Sequence, residues 1–258
     1  MTISIQTAVE RLLEAQFSHC LLAPLSETHG DFTLEQAYTI QDALRAALDR
    51  RGQQSIGWKL GATSSSGQAV MGVKEPACGF LMSRQYGSSA TVSASEFINL
   101  GVEAEVAFRM RTRLAGPGVT VGTALLAVEG AVAALELPDF IFSGRPVVAD
   151  FVASSVIANA IVLGSPLTPL SAFDVSREEV VYEHNGVEVG TYTAAEVMGN
   201  PLHALVWLAN HLATRGLALE PGDVVMSGAI SKMLRPKVGD TIRAIFAHLG
   251  SVSVKVVP

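Results

Sequence analysis

An α+β fold is what this sequence predicts. Apolar residues recur at helical spacing through the first fifty positions, alternation of period two sets in beyond residue 95, and the last forty residues read as strands opened by Gly-rich turns. The 258 residues are 49% hydrophobic and 16% charged, which provides for one sizeable core and excludes a disordered chain. Texture divides the chain into a helical N-terminal region with a Lys-bearing strand, residues 1–94, and a β-rich body, residues 95–258, within one continuous unit.

Each element has a local reason. Val9, Leu12, Leu13 and Phe17 form a helical stripe. A second helix opens with Thr33 and Gln36 in capping-box register and carries Ala37, Ile40, Leu44 and Leu48 inward. Arg50 and Arg51 suit its C-terminal end and Gly52 its stop. "SIGWKLGATSSSG" reads as a short strand running into a Gly/Ser loop. In "VEAEVAFRM", Val102, Ala104, Val106, Phe108 and Met110 share one face of a strand. "GTALLAVEGAVAALEL" reads as a helix giving way to a strand that ends near Glu136. A further amphipathic helix is broken or restarted at Pro201. "PGDVVMSG", "GDTIRAIFA" and "GSVSVKVV" are three closing strands.

The charge balance narrows the partners. Net charge is −6, and no Lys/Arg block stands out, which argues against nucleic acid and anionic membrane. The longest apolar candidate for a span, "AVAALELPDFIF", is interrupted by Glu136, Pro138 and Asp139. The N-terminus has no basic region followed by a continuous apolar stretch, so it does not read as a signal peptide. Cys20 and Cys78 are too few for a disulfide framework, and cytoplasmic residence is the expectation.

Three carboxylates carry the chemistry. Glu103 and Glu105 point to one face of their strand, roughly 7 Å apart along it. That pattern fits the wet face of an amphipathic edge strand, or one wall of a site. Glu136 favours the site, because it stands among alanines and leucines, where a lone buried carboxylate requires a cation, a basic partner or a metal. Three carboxylates with no Cys or His at ligand spacing point to a hard, oxygen-loving ion, Mg²⁺ or Mn²⁺, and away from zinc. Lys59, the single charge in "IGWKLGAT", reads as a snorkelling surface lysine or as a proton-transfer group beside the carboxylates.

In order and spacing, "GWKLGAT", "GVEAEVAF", "ALELPD", "VVMSGA" and "VGDTIRAIFAHLGSVSVKV" resemble the fumarylacetoacetate hydrolase superfamily. The resemblance covers nearly the whole chain. It is closer to the branch of 2-keto-4-pentenoate hydratases and 2-oxo-3-hexenedioate (4-oxalocrotonate) decarboxylases. It implies a mixed β-roll body behind a helical N-terminal region. Metal ligands are implied at Glu103, Glu105 and Glu136, a catalytic lysine at Lys59, and substrate contacts at Ser227 and Leu60. The implied activity is divalent-metal-dependent hydration of a 2-hydroxydienoate (2-oxo-4-enoate) to a 4-hydroxy-2-oxo acid in the meta-cleavage breakdown of aromatic compounds. Homo-oligomers are implied too, with association with another enzyme of the pathway as an option.

Two places depart from the branch. Ala77 and Cys78 stand where its hydratases carry an acid, and "PACGFL" fits the decarboxylase pattern. Val152–Ser155 reads VASS where the branch often shows VADN, and the adjoining position near Ile157 is apolar. The alternatives are therefore a 4-oxalocrotonate decarboxylase on the same metal platform, or a non-catalytic pathway partner. A carbon–carbon hydrolase ranks below these, since His19 and His29 show no His–Glu motif.

Overall fold

The computed structural model describes residues 4–30 and 32–258. Residues 1–3, the start of the stretch read above as lacking a leader, lie outside the described residues. Helices α1 (Ile5–Ser18), α2 (Leu25–His29) and α3 (Leu34–Asp49) come first. The Thr33–Gln36 capping box forms, and Ala37, Ile40, Leu44 and Leu48 are buried. In α1 the stripe is shorter than expected. Val9, Leu12 and Leu13 are buried, but Phe17 is 46% exposed and lies under the Arg51 guanidinium.

Strand β1 (Ser55–Gly61) follows, then α4 (Ser65–Met71), a helix where the Gly/Ser composition reads as loop. The Ser64 side chain starts it by accepting from the Gly67 amide. Next come β2 (Ala77–Met82), β3 (Gln85–Tyr86), β4 (Ser89–Ser93) and β5 (Glu103–Met110). The mixed segment resolves as α5 (Val121–Ala127) running into β6 (Val128–Leu137). Helix α6 (Val148–Ala153), β7 (Ala160–Leu163), β8 (Glu179–His184) and β9 (Val187–Thr193) lead to α7 (Pro201–Thr214), which begins at Pro201 with Asn200 as its cap. The three closing strands are β10 (Val224–Met226), β11 (Thr241–Phe246) and β12 (Gly250–Val257).

The strands form a seven-stranded sheet, β2-β1-β10-β5-β6-β7-β3, and a five-stranded sheet, β4-β12-β11-β8-β9. Both sheets are mixed: β1 runs parallel to β10 and β12 parallel to β4, while β5 and β6 are antiparallel. Strands from either side of residue 94 share both sheets. The larger sheet curls. Lys59 on β1 and Glu136 on β6 are three strands apart, roughly 14 Å on a flat sheet, yet their charged atoms are 2.9 Å apart.

Alternation sorts the two faces of the larger sheet. Ala104, Val106, Phe108 and Met110 of β5 and Ala133, Leu135 and Leu137 of β6 enter the main core, which β11 and β12 share through Ile242, Ala244, Val252 and Val254. On the concave face the carboxylates lie beside a smaller apolar cluster of Leu81, Ala107, Ala134, Ile161 and Met226.

A turn before β7, Ser155–Ile157, packs on that concave face against β2. A Cβ on Gly79 would lie 2.2 Å from the Ser155 carbonyl oxygen, so β2 must carry glycine there. Gln41 of α3 staples the helical region to this place. Fully buried, it donates from Nε2 to the carbonyls of Cys78 and Val152, 2.8 Å each, and accepts from Arg215 at Oε1. Gln41→Leu keeps the volume and strands these partners, so unfolding in denaturant should show a loss of about 2–4 kcal/mol. A loss within about 0.5 kcal/mol, the range of a bland surface change, would reject the staple.

Candidate metal centre

Register brings the carboxylates together. Glu103 on β5 lies directly opposite Glu136 on β6, and Glu105 is two positions further along the same face. One oxygen from each of the three lies within 4.8 Å of the others. Strand β5 is interior, between β10 and β6, and Glu105 is fully buried, so the edge-strand reading does not hold. Lys59 is 4% exposed, so it is not a snorkelling surface residue. Its Nζ lies 2.9 Å from Glu136 Oε1 and donates to the Val156 carbonyl at 3.3 Å.

The oxygens divide into engaged and free. The Gly228 amide donates to Glu105 Oε2 at 2.8 Å, while Glu105 Oε1 has no hydrogen-bond partner. On Glu136, Oε1 has the Lys59 ion pair and Oε2 has no protein partner. Buried oxygens without partners are costly, and here they converge. Three carboxylates against one ammonium leave two negative charges, which a divalent cation would balance. The donor set is all oxygen, as Mg²⁺ and Mn²⁺ prefer. The residues therefore fit the ion their sequence implies. Glu103 is half-buried and marks the open side.

The charges strain one another. Burial first, then the charge of Glu136, pushes the Glu103 carboxyl up to about 7 against the pull of Lys59. The same causes raise Glu105 well above the ordinary carboxylate range. Burial alone would lower the pKa of Lys59, but Glu136, Glu105 and Glu103 outweigh it and hold the ammonium above its ordinary value.

A carboxylate with a raised pKa binds its proton in the fold, so a cation must displace that proton. Mn²⁺ affinity should therefore fall below pH 7, approaching about tenfold per unit for one displaced proton. Metal-free stability should run the other way. It declines as pH rises from the unfolded value of 4.5 through about 7, where the folded group ionises. The rise in Tm on adding Mn²⁺ should be larger at pH 8 than at pH 6; equal shifts would contradict the charge balance.

Two expected residues stay outside the cluster. Ser227 is fully buried and its hydroxyl donates to the Val106 carbonyl at 2.8 Å. Leu60 alternates to the opposite face of β1 from Lys59, in the main core. The neighbour that does reach a carboxylate is Gly228. Its φ of 117° and a Cβ position only 2.1 Å from Thr63 Oγ1 require glycine, and that requirement is the sequence signal for it. Val156 acts through its carbonyl, which leaves no sequence signal. A cavity of about 320 Å³ lies behind the same turn, lined in part by Leu44, Phe80, Arg84, Ser154, Ser155 and Asn159, and holds none of the carboxylates.

A curled mixed sheet with helices on its N-terminal side and a carboxylate–lysine centre on its concave face defines a protein built to hold a hard divalent ion. The chain belongs to the fumarylacetoacetate hydrolase family, since residues 69–257 match the family model described as "Fumarylacetoacetate (FAA) hydrolase C-terminal". It is 30% identical to the 2-hydroxyhexa-2,4-dienoate hydratase of Comamonas testosteroni over 255 residues, 97% of each chain. It is 34% identical to the 2-keto-4-pentenoate hydratase of Burkholderia vietnamiensis, over 96% of each. Among solved structures it is similar to the 4-oxalocrotonate decarboxylase from Pseudomonas putida G7 complexed with magnesium and adipate, with TM-score 0.96, 28% identity and 99% of each chain covered.

Proposed function

We propose that this chain is a divalent-metal-dependent hydratase that adds water to a 2-hydroxydienoate (2-oxo-4-enoate) and forms a 4-hydroxy-2-oxo acid in the meta-cleavage breakdown of aromatic compounds. The observation that carries the reading is the concave face itself. Three carboxylates and Lys59 share it with Ala107, Ala134, Ile161 and Met226, and among the described residues Lys59 is the one basic side chain paired with those carboxylates. Such a surface suits one 2-oxo acid head and an apolar tail. Hydratase-named relatives at 30% and 34% identity over almost the full chain support the same reading.

In this reading Glu103, Glu105 and Glu136 hold Mg²⁺ or Mn²⁺. When bound, the ion supplies a Lewis acid that favours negative charge on the 2-oxygen of the substrate. The Gly228 amide keeps Glu105 turned so that Oε1 is available. Lys59 Nζ, anchored on Glu136, moves a proton at the substrate carbon remote from the carboxylate. Ser227 and Leu60 act as supports behind Glu105 and Lys59. The chain would work in the cytoplasm as a homo-oligomer, alone or alongside another enzyme of the pathway. No helix among the described residues is long and apolar enough to cross a membrane.

The second reading is a 4-oxalocrotonate decarboxylase, favoured by the similarity to the decarboxylase structure and by 33% identity to a Pseudomonas putida decarboxylase over 90% of this chain. Absorbance assays with Mn²⁺ separate the two. Turnover of 2-hydroxypenta-2,4-dienoate is expected. Turnover of 2-oxo-3-hexenedioate alone would replace the hydratase reading. Turnover of neither, with no metal affinity, would favour the non-catalytic partner.

A further inference from the structure

We propose that the left-handed turn Ser155–Ile157 positions Lys59, with the Val156 carbonyl as the group that sets where its ammonium lies. The assignment rests on the reading of Lys59 as the proton-moving group. Three successive residues have φ of 61°, 53° and 52°, and two of them are β-branched. Side chains of that kind rarely adopt this conformation, and it persists only where the surroundings over-determine it.

Those surroundings are on every side. The Val156 amide donates to the Phe151 carbonyl at 2.6 Å, and the Ala158 amide to that of Ser155 at 3.1 Å. The Asp139 amide donates to the Ile157 carbonyl at 3.0 Å, and Ser155 Oγ to the Phe80 carbonyl at 2.9 Å. Beneath the turn, β1 and β2 present glycines. A Cβ on Gly79 would lie 2.2 Å from the Ser155 oxygen, and one on Gly61 would lie 2.8 Å from Val156 Cγ1.

The outcome is a carbonyl aimed at Lys59 Nζ, 3.3 Å away. An ammonium has three donors. One direction goes to Glu136 and one to Val156, which leaves a third for substrate. The four-carbon stem is flexible. Without the carbonyl, the ammonium is free to settle among the three carboxylates, where a cation must enter. The turn holds it on the Glu136 side and leaves the buried Glu105 Oε1 and Glu136 Oε2 without a protein hydrogen-bond partner, free to take a cation.

The test is a rescue experiment with Gly61→Ala, Val156→Ala and the double variant. Its readouts are the ¹⁵N cross-peak of the Lys59 ammonium, visible only while exchange is slow, and calorimetric Mn²⁺ affinity. Gly61→Ala pushes on Val156 Cγ1. It should erase the cross-peak and weaken Mn²⁺ by about tenfold, as displacement of an outer-shell group does. The double variant lacks that methyl and should match Val156→Ala in both readouts. A wild-type cross-peak and affinity in Gly61→Ala, or a double variant no better than Gly61→Ala, overturns the proposal. If Gly61→Ala does not fold, Ser155→Ala removes only the tie to Phe80, and an unchanged spectrum and affinity there overturn it as well. Neither readout needs turnover, so a wild-type chain that hydrates no dienoate sinks the functional reading alone.

Discussion

Lys59→Met should lower turnover by at least about a hundredfold, the low end of what a positioned acid–base group contributes. Methionine keeps most of the stem volume and removes the charge. The substitution takes away the ion-pair partner of Glu136, 2.9 Å from Oε1, and the donor to Val156. The metal-free protein should also lose stability, by about 3–5 kcal/mol at pH 8, because a buried carboxylate set is left without its cation. Lowering the pH should shrink that loss, since Glu103 and Glu105 take up protons more readily than ordinary carboxylates. Chemical unfolding without metal at pH 8 and pH 6, beside steady-state rates, checks both halves. Turnover within about threefold of wild type, well under the usual acid–base contribution, would remove Lys59 from the chemistry.

Glu105→Gln should have the opposite effect on stability and a larger one on metal. The amide oxygen can still accept from the Gly228 amide, so the local backbone is preserved. One buried negative charge disappears from a set in which Glu136 and Glu103 both raise the proton affinity of Glu105. The metal-free variant should therefore melt higher than wild type at pH 8. Its Mn²⁺ affinity should drop by at least about a hundredfold, beyond what losing an outer-shell partner costs. Higher stability with lower affinity is the signature of a carboxylate retained for binding. If titration calorimetry shows unchanged affinity, Glu105 is not a ligand.

The carboxylate centre was legible because its residues break a strong local rule. Glu103, Glu105 and Glu136 interrupt runs whose neighbours are buried, and Lys59 does the same in β1. The capping box of α3 and the alternation of β5 were legible for a related reason, since each is decided within a few residues. Helix α4 was not, because serine and glycine read as loop until Ser64 is seen to cap it. The Gly228 amide, one residue after Ser227, is the group that reaches Glu105, and main-chain donors do not announce themselves by side-chain type.

Residue chemistry and short-range spacing were enough to determine the fold class and to mark the three glutamates and Lys59 as charges set among buried neighbours. They act over a few positions, where period and charge suffice. How Lys59 meets Glu136 was decided elsewhere. It depends on the curl of a seven-stranded sheet whose neighbours are far apart in the chain, and on a strained turn that fits only over two glycines. Those are long-range steric facts, settled by packing, and no local stretch encodes them.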